Sequence, residues 1–156
     1  MEILSFFQKQ KNKNKKIIID STLSEYKVRT RKHLELHTKI SSLAEETKCY
    51  KYWISDDIEV NDSIIFQKYL DCFNHIIGIG IDKNYDNIED IVVKPNEYCL
   101  SDQFFNLFID LNDLIISPSE DHYITLIEDF LSLGVSLGYT EEQIEQALIN
   151  QWLKTF

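Results

Sequence analysis

The chain has 156 residues, 44% of them hydrophobic, which is enough apolar material to bury the core of one ordinary domain. It has only 4 glycines and 2 prolines, too few for a fold of many tight turns, so the composition favours long helices. Acidic residues outnumber basic ones by 26 to 16, and a net charge of −10 opposes binding to nucleic acid. We therefore expect no direct nucleic-acid partner.

The dense basic run at residues 9–16 is interpreted as the solvated face of a helix rather than as a nucleic-acid arm. Cys49, Cys72 and Cys99 show no metal-ligand spacing and are expected to be reduced thiols. No apolar run is long enough to span a bilayer, and the N-terminus lacks the apolar core of a signal peptide. These features predict a cytoplasmic protein without a membrane partner.

Two helices are predicted in the first third of the chain, over residues 3–19 and about 25–52, with capping residues at 21–24 before the second. In the first helix the lysines face water, and the apolar positions are Phe6, Phe7, Ile17 and Ile18. In the second helix, the residues that recur at helical spacing and predict a buried stripe are Leu36, Ile40, Leu43, Thr47 and Tyr50.

An acidic connector, residues 54–60, leads to a third predicted helix that is capped by Asn61 or Asp62 and ends near Ile81. The apolar stripe of this helix consists of Ile65, Tyr69, Cys72, Phe73 and Ile76. Residues 82–100 then form a long irregular insertion. Loops of this length in compact domains are often functional or mobile.

Ser101 is predicted to cap a fourth helix that ends near Ile116, and Pro118 suits the first turn of a fifth. The core face of the fifth helix is predicted to hold Ile127, Phe130, Leu131 and Leu137.

Gly138 fits the C-cap of the fifth helix, and residues 140–143 form a capping box that opens a sixth, which reaches toward Phe156. The sequence thus predicts an all-α, single-domain bundle of about six helices over residues 1–156, with helices two and three packed antiparallel.

Two polar stripes lie beside the apolar ones. On the second helix the stripe consists of Glu35, Lys39, Ser42 and Glu46, and on the third it consists of Lys68, Asp71 and His75. Side chains three or four residues apart stack along one line of a helix, so the two stripes can face each other. A histidine in such a stripe is interpreted first as a hydrogen-bonded structural residue.

Four segments carry a resemblance to a known family. Residues 6–17 read FFQKQKNKNKKI, residues 43–53 read LAEETKCYKYW, residues 69–71 read Tyr-Leu-Asp, and residues 130–148 read FLSLGVSLGYTEEQIEQAL. In order and spacing they resemble the all-α dimeric dUTPases, within the all-α NTP pyrophosphatase group. In that family the second segment is Leu-Ala-Asn-Glu-x-Arg-Cys-Phe-Lys-x-Trp. The resemblance implies an all-α fold and a homodimer.

The resemblance also implies candidate nucleotide-binding residues. Gln10 falls on a family glutamine associated with the uracil base, while Lys13 and Asn14 replace the usual Leu-Asp. Lys51 and Trp53 match the second segment. A deoxyuridine nucleotide is therefore a candidate ligand.

The family binds magnesium through Glu-x-x-Glu on one helix and Glu-x-x-Asp on the next. These positions fall on Lys39 and Ser42, and on Lys68 and Asp71, so only Asp71 keeps a carboxylate. Two ammonium groups and one carboxylate sum to about +1, and magnesium requires anionic oxygen ligands. We expect no metal cofactor, and we predict that Lys39 or Lys68 pairs with Asp71 instead.

The alternative is a rebuilt magnesium site that uses Glu35, Glu46, Asp71 and His75. The family's C-terminal substrate segment, Lys-Asn-x-x-Asn followed by Arg-Gln, also has no counterpart in residues 147–156, which read ALINQWLKTF.

Three functions are compatible with this pattern. The first is a catalytically inactive dUTPase-like protein that acts through protein–protein interaction or regulation, because some phage members of the family bind a repressor protein. The acidic face and residues 82–100 are its candidate contact regions. The second is a module that binds dUTP or dUDP without hydrolysis, with Lys39 and Lys68 in place of metal charge. The third is a magnesium-dependent dUTP diphosphatase with a displaced site.

Overall fold

The computed structural model describes residues 1–154, which form six α-helices and no extended strand. The helices are α1 (Leu4–Asn14), α2 (Glu25–Thr47), α3 (Asp62–Asp82), α4 (Leu100–Ile116), α5 (Glu120–Ser136) and α6 (Glu141–Leu153). The predicted all-α class is therefore confirmed. The last helix was predicted to reach toward Phe156, a residue that lies outside the described part of the chain.

Two helix ends were predicted too far along the chain. The first helix ends at Asn14 rather than at residue 19, and Ile17 and Ile18 are exposed instead of buried. Three consecutive β-branched residues follow the lysine run, and such residues lose side-chain freedom in a helix. This segment is therefore unfavourable for continuing the helix.

The second helix ends at Thr47, not at Tyr52, because Lys48 adopts the left-handed conformation with φ 57°. Thr47 is consequently only half-buried and Tyr50 is exposed, so the predicted apolar stripe of α2 is shorter than expected. Its remaining members, Leu36, Ile40 and Leu43, are fully buried.

Side-chain caps fix several helix starts. Ser24, Asn61 and Ser119 each accept a hydrogen bond from a backbone N–H of the first turn, and the predicted capping box at Thr140 and Gln143 is present. The prediction of Ser101 as a cap is wrong. Helix α4 begins at Leu100 after Cys99, whose side chain makes no cap hydrogen bond.

The core lies where α2 packs on α3, α4 packs on α5, and α1 closes over α3. All five predicted stripe residues of α3 are buried, as are Ile127, Phe130 and Leu131 of α5, whereas Leu137 is only partly buried. Within the described residues, no helix is both long enough and apolar enough to cross a membrane.

Helices α3 and α5 are joined by two reciprocal tyrosine–glycine contacts. Tyr123 of α5 packs on Gly80 of α3 and donates to the carbonyl oxygen of Ile76 at 2.8 Å. Tyr69 of α3 packs on Gly134 of α5 and donates to the carbonyl oxygen of Phe130 at 3.2 Å. In each case the accepting carbonyl lies four residues before the glycine. Because glycine has no side chain, the tyrosine hydroxyl can approach the helix closely enough to reach that carbonyl oxygen.

Residues 83–99 contain no helix and are held to the bundle at several points. The N–H of Ile3 donates to the carbonyl oxygen of Glu89, Ile91 is buried, and the hydroxyl of Ser132 donates to the carbonyl oxygen of Lys94. Burial and hydrogen bonding thus position the middle of this insertion on the bundle. Its role as a contact region stays a prediction.

Candidate functional site

The two polar stripes face each other across α2 and α3 and form a ladder of contacts. Lys39 Nζ lies 2.6 Å from Asp71 Oδ2, and His75 Nε2 lies 2.9 Å from Glu35 Oε1. At the other end, Lys68 Nζ lies 2.7 Å from Glu46 Oε1 and 2.8 Å from Ser42 Oγ. Residue numbers rise along α2 as their partners' numbers fall along α3. The helices are therefore antiparallel, as predicted.

The register of the ladder follows from the apolar stripes behind it. Leu36, Ile40 and Leu43 of α2 are buried, as are Tyr69 and Cys72 of α3. The polar residues occupy the adjoining positions, so burial of the apolar stripes brings them into reach of one another. The predicted ion pair to Asp71 is made by Lys39, whereas Lys68 pairs with Glu46.

The ion pairs of the ladder stabilise the charged forms of the side chains that form them. The hydrogen bond to Asp71 raises the pKa of Lys39, and the hydrogen bond from Lys68 lowers the pKa of Glu46. Both groups are therefore ionised at neutral pH. Beneath them, burial raises the pKa of the Cys72 thiol to about 12, so this thiol is protonated and unsuited to bind a metal or to act as a nucleophile.

The four positions that the resemblance aligns with metal ligands are already engaged with one another or with Glu46. Lys39 holds Asp71, and Lys68 holds Ser42. A divalent cation at this place would meet two ammonium groups, a hydroxyl and one carboxylate, that of Asp71, which already accepts from Lys39. This donor set does not fit magnesium, which binds carboxylate, carbonyl and water oxygens.

The alternative magnesium ligands do not converge. Glu35, His75 and Asp71 are neighbours, with His75 Nδ1 3.6 Å from Asp71 Oδ1, but Glu46 stands eleven residues from Glu35 on α2. Eleven residues correspond to about 16 Å along a helix. Both ring nitrogens of His75 also lie within hydrogen-bond distance of an oxygen acceptor. In residues 1–154, no group of three or more His, Cys, Asp or Glu is arranged to hold a metal.

A groove of about 830 Å³ opens beside the ladder, between α1, the segment after it, and α3. It is lined at one side by Glu35, Asp71 and His75 of the ladder. The other side is lined by polar residues of α1, which include Gln10 and Asn14. The groove therefore joins the candidate base-binding residue Gln10 to the candidate metal-binding position Asp71.

Gln10 is the most distinctive residue of this groove, since its side chain is only 7% exposed. Its Nε2 donates to Asn14 Oδ1 at 2.9 Å, whereas its Oε1 is buried without a hydrogen-bond partner among the described residues. Buried polar atoms are nearly always hydrogen-bonded in folded proteins. The unpaired oxygen is thus a buried acceptor with less than 1 Å² of exposed surface, and a ligand in the groove would reach it only if the surrounding side chains moved.

Lys51 and Trp53 lie together but apart from Gln10. Lys51 Nζ stands 5.7 Å from the centroid of the Trp53 ring, and Tyr52 packs edge-on against the same ring at 5.2 Å. Neither residue lines the groove that holds Gln10. The three candidate nucleotide-binding residues are therefore divided between two places, and the α2–α3 connector would have to move for them to share one nucleotide.

The sequence prediction overlooked two features. Asn14 was noted only as a replacement, although its spacing of four residues from Gln10 on a helix is a signal for a side-chain hydrogen bond. Asp110 of α4 is buried beside Asp129 of α5, with Asn106 donating to both carboxylates. Burial and Asp129 raise the pKa of Asp110 to about 7. These residues are distant in sequence, so no local pattern indicated their pairing.

An antiparallel helix pair with facing polar stripes, inside an all-α bundle, is the arrangement that the resemblance to the all-α NTP pyrophosphatases implied. The comparison with protein families is consistent with this class. The sequence model described as dUTPase matches residues 2–153, and the chain belongs to this family. No curated protein and no solved structure matches the chain.

Proposed function

We propose that the chain is a catalytically inactive member of the dUTPase family that works by binding, through protein–protein interaction or regulation, without a metal cofactor. One observation carries this proposal. The positions aligned with the family's metal ligands are occupied by the Lys39–Asp71 pair and by the contacts of Lys68 with Ser42 and Glu46.

The physical reason lies in the charge at this place. A metal-dependent hydrolase stabilises the charge of the transferred phosphoryl group with a cation and orients a water for attack. Here two ammonium groups already neutralise Asp71 and Glu46, so a divalent cation would have to displace them. Without a bound cation, no single group of the ladder can both polarise a phosphoryl oxygen and activate a water molecule.

The first expected result is the absence of hydrolysis. With dUTP and either magnesium or manganese, the protein should release no pyrophosphate at rates typical of enzymes, on the order of one per second. Continuous detection of released pyrophosphate measures this directly. Release at such a rate would refute the proposal, and Glu46→Gln would then test whether the displaced site uses Glu46.

A second candidate function, nucleotide binding without hydrolysis, is favoured by the groove. The buried Gln10 Oε1 lacks a donor, and Lys13 and Lys15 line the same groove as sources of positive charge for a phosphate. Isothermal titration with dUTP, dUDP and dUMP, with and without magnesium, separates the functions. Binding that is independent of magnesium supports this candidate, whereas binding only with magnesium supports a displaced metal site.

We also propose that the protein forms a homodimer, and that α4 supplies the interface. Phe105, Ile109 and Ile116 are 73%, 48% and 80% exposed, and their spacing places them along one face of the helix. Several large apolar side chains exposed along one face of a helix are typical of interaction sites. A second copy is the occupant favoured here, because the chain belongs to the dUTPase family and its sequence resembles the dimeric members of that family.

Light scattering after size exclusion should give about twice the monomer mass of 18.4 kDa, with Phe105→Asp and Ile116→Asp together returning the protein to the monomer mass. Ile54→Asp is the matched control, since Ile54 is 99% exposed but lies in the α2–α3 connector. A monomer mass for the unchanged protein, or a dimer that survives the α4 changes, would count against this interface.

A further inference from the structure

A second groove, of about 880 Å³, lies between the start of α3 and α6 and is called the α3–α6 groove below. It shares no lining residue with the groove that holds Gln10 and none with the ladder. Its apolar lining consists of Phe66, Tyr139, Ala147 and Ile149, all of them only partly buried. The rings of Phe66 and Tyr139 lie 4.6 Å apart between centroids. Apolar surface is therefore open to solvent inside this groove.

The charged residues that line the α3–α6 groove are all acidic. They are Asp62, Glu142 and Glu145, and among the described residues that line it none is Lys, Arg or His. Within residues 1–154 none of the three carboxylates forms an ion pair. Asp62 and Glu142 lie in the first turns of α3 and α6, where a negative charge interacts favourably with the helix dipole. The groove therefore holds three carboxylates and no described cation that neutralises them.

This lining suits a ligand that is both cationic and partly apolar. Lys and Arg have apolar stems and charged ends, so one side chain can contact an aromatic ring and a carboxylate together. The faces of Phe and Tyr rings also attract cations. Burial and the charge of Asp62 raise the pKa of Tyr139 to about 12, so its hydroxyl stays protonated and able to donate. An anionic ligand would instead meet three like charges, which excludes nucleotides here.

We propose that the α3–α6 groove docks a basic segment of a partner protein, with an apolar side chain against Phe66 and Tyr139 and Lys or Arg side chains against the three carboxylates. This inference rests on the protein-interaction part of the proposed function. Charge complementarity identifies the occupant, because opposite charges across an interface favour the right partner and like charges reject the wrong one. The volume of the groove, about 880 Å³, is enough for several side chains of such a segment.

A second copy of the chain is the other occupant to consider. The homodimer proposed above uses α4, and no described residue of α4 lines the α3–α6 groove. The groove is thus not part of the proposed dimer contact. The chain is also acidic overall, with a net charge of −10, so its surface offers few places of the opposite charge to this groove. A separate basic partner fits the lining better.

The test measures the binding of synthetic peptides to the full chain by fluorescence anisotropy. The probe has blocked ends, a fluorescent label and the sequence Lys-Leu-Leu-Lys-Lys-Leu-Leu-Lys. We expect it to bind, with an affinity that falls as salt is added. The same peptide with Glu in place of Lys should not bind. The peptide with Ser in place of Leu should bind at least about tenfold more weakly, because it lacks apolar side chains for the floor of the groove.

The protein variant that tests the groove is the triple change Asp62→Asn, Glu142→Gln and Glu145→Gln. It removes the three carboxylates and should weaken the Lys-Leu peptide by at least about tenfold. The matched control removes three carboxylates from the first turns of other helices, none of which lines the groove, by Glu25→Gln, Glu120→Gln and Asp121→Asn. Because the two variants have the same net charge, the control should weaken the peptide by less than about twofold. Far-UV circular dichroism melts establish that both variants are folded.

Four results would overturn this inference. They are no binding of the Lys-Leu peptide at concentrations up to about 1 mM, equal weakening in the two triple variants, equal binding of the Lys-Ser peptide, and loss of the homodimer in the groove variant alone. The last would make a second copy the occupant, and light scattering after size exclusion measures it. None of these results bears on whether dUTP is hydrolysed, so the absence of catalysis stands or falls separately with the pyrophosphate assay.

Discussion

Gly80→Ala is expected to destabilise the bundle strongly. The added methyl group would overlap the hydroxyl and ring of Tyr123, a fully buried side chain whose hydroxyl donates to the carbonyl oxygen of Ile76. Overpacking in a core costs about 1–3 kcal/mol, and a buried hydroxyl without a partner costs about 1–3 kcal/mol more. Alanine returns about 1 kcal/mol of helix propensity. The net loss is roughly 1–5 kcal/mol, or about 2–20 °C in Tm for a chain of this size.

Gly78→Ala is the matched control for this experiment. Gly78 lies on the same helix two residues earlier, and an added methyl group there meets nothing within 4 Å. The change should therefore stabilise the protein by up to about 1 kcal/mol through helix propensity. Thermal melts followed by far-UV circular dichroism measure both variants. If the two variants melt at the same temperature, the contact of Tyr123 with Gly80 contributes nothing to stability.

The tyrosine–glycine contacts show a limit of sequence reasoning. The apolar stripe of α3 predicted that Tyr69 is buried, because its spacing is a local property of the helix. Nothing local indicates that its hydroxyl reaches the carbonyl oxygen of Phe130, sixty-one residues away. That contact depends on the rotation of α5 against α3, which the packing of the whole bundle determines.

Helix ends were predictable where a side-chain cap or a glycine with positive φ determines them, as at Thr140 and Gly138, and not where another residue adopts the left-handed conformation. Thr140 and Gln143 satisfy backbone groups with their own side chains, and the capping box is confirmed. The end of α2 depends on Lys48 in the left-handed conformation, which a lysine rarely adopts and which carries no sequence signal.

For the candidate site, the sequence was sufficient to predict which residues face each other. Spacing alone placed the two polar stripes where they can face each other, and the resemblance to the family's metal-ligand positions predicted that Lys39 or Lys68 would pair with Asp71. The choice between Lys39 and Lys68 needed the register of α2 against α3, because both side chains are long enough to bridge adjacent turns. The unpaired oxygen of Gln10 could not be predicted, since it depends on burial by several elements.

Restoring carboxylates to the ladder should make the stability of the protein depend on magnesium. The triple variant Lys39→Glu, Ser42→Glu and Lys68→Glu returns four carboxylates to one place when Asp71 is counted, with Glu46 beside them. Without metal these groups repel one another, and both lysine pairs are lost. We expect a lower Tm than that of the unchanged protein in a chelating buffer, with the largest share of the loss at low ionic strength.

Magnesium should reverse part of that loss. An ion that binds only the folded state stabilises it by about 2.7 kcal/mol when its concentration is a hundred times the dissociation constant. This corresponds to roughly 5–10 °C in Tm for a chain of this size. The unchanged protein should shift by no more than about 1 °C under the same conditions, because Lys39 and Lys68 occupy the position that the ion would take.

The matched control carries the same three changes of residue type at exposed positions outside the ladder, namely Lys27→Glu, Ser41→Glu and Lys94→Glu. It alters the net charge of the protein equally, so any general effect of magnesium on an acidic surface appears there as well. The gain in Tm on adding magnesium should be much larger in the triple ladder variant than in this control. A gain of several degrees in the unchanged protein would mean that the lysine pairs do not exclude a metal ion. Equal gains in the two triple variants would mean that the restored carboxylates do not form a metal site.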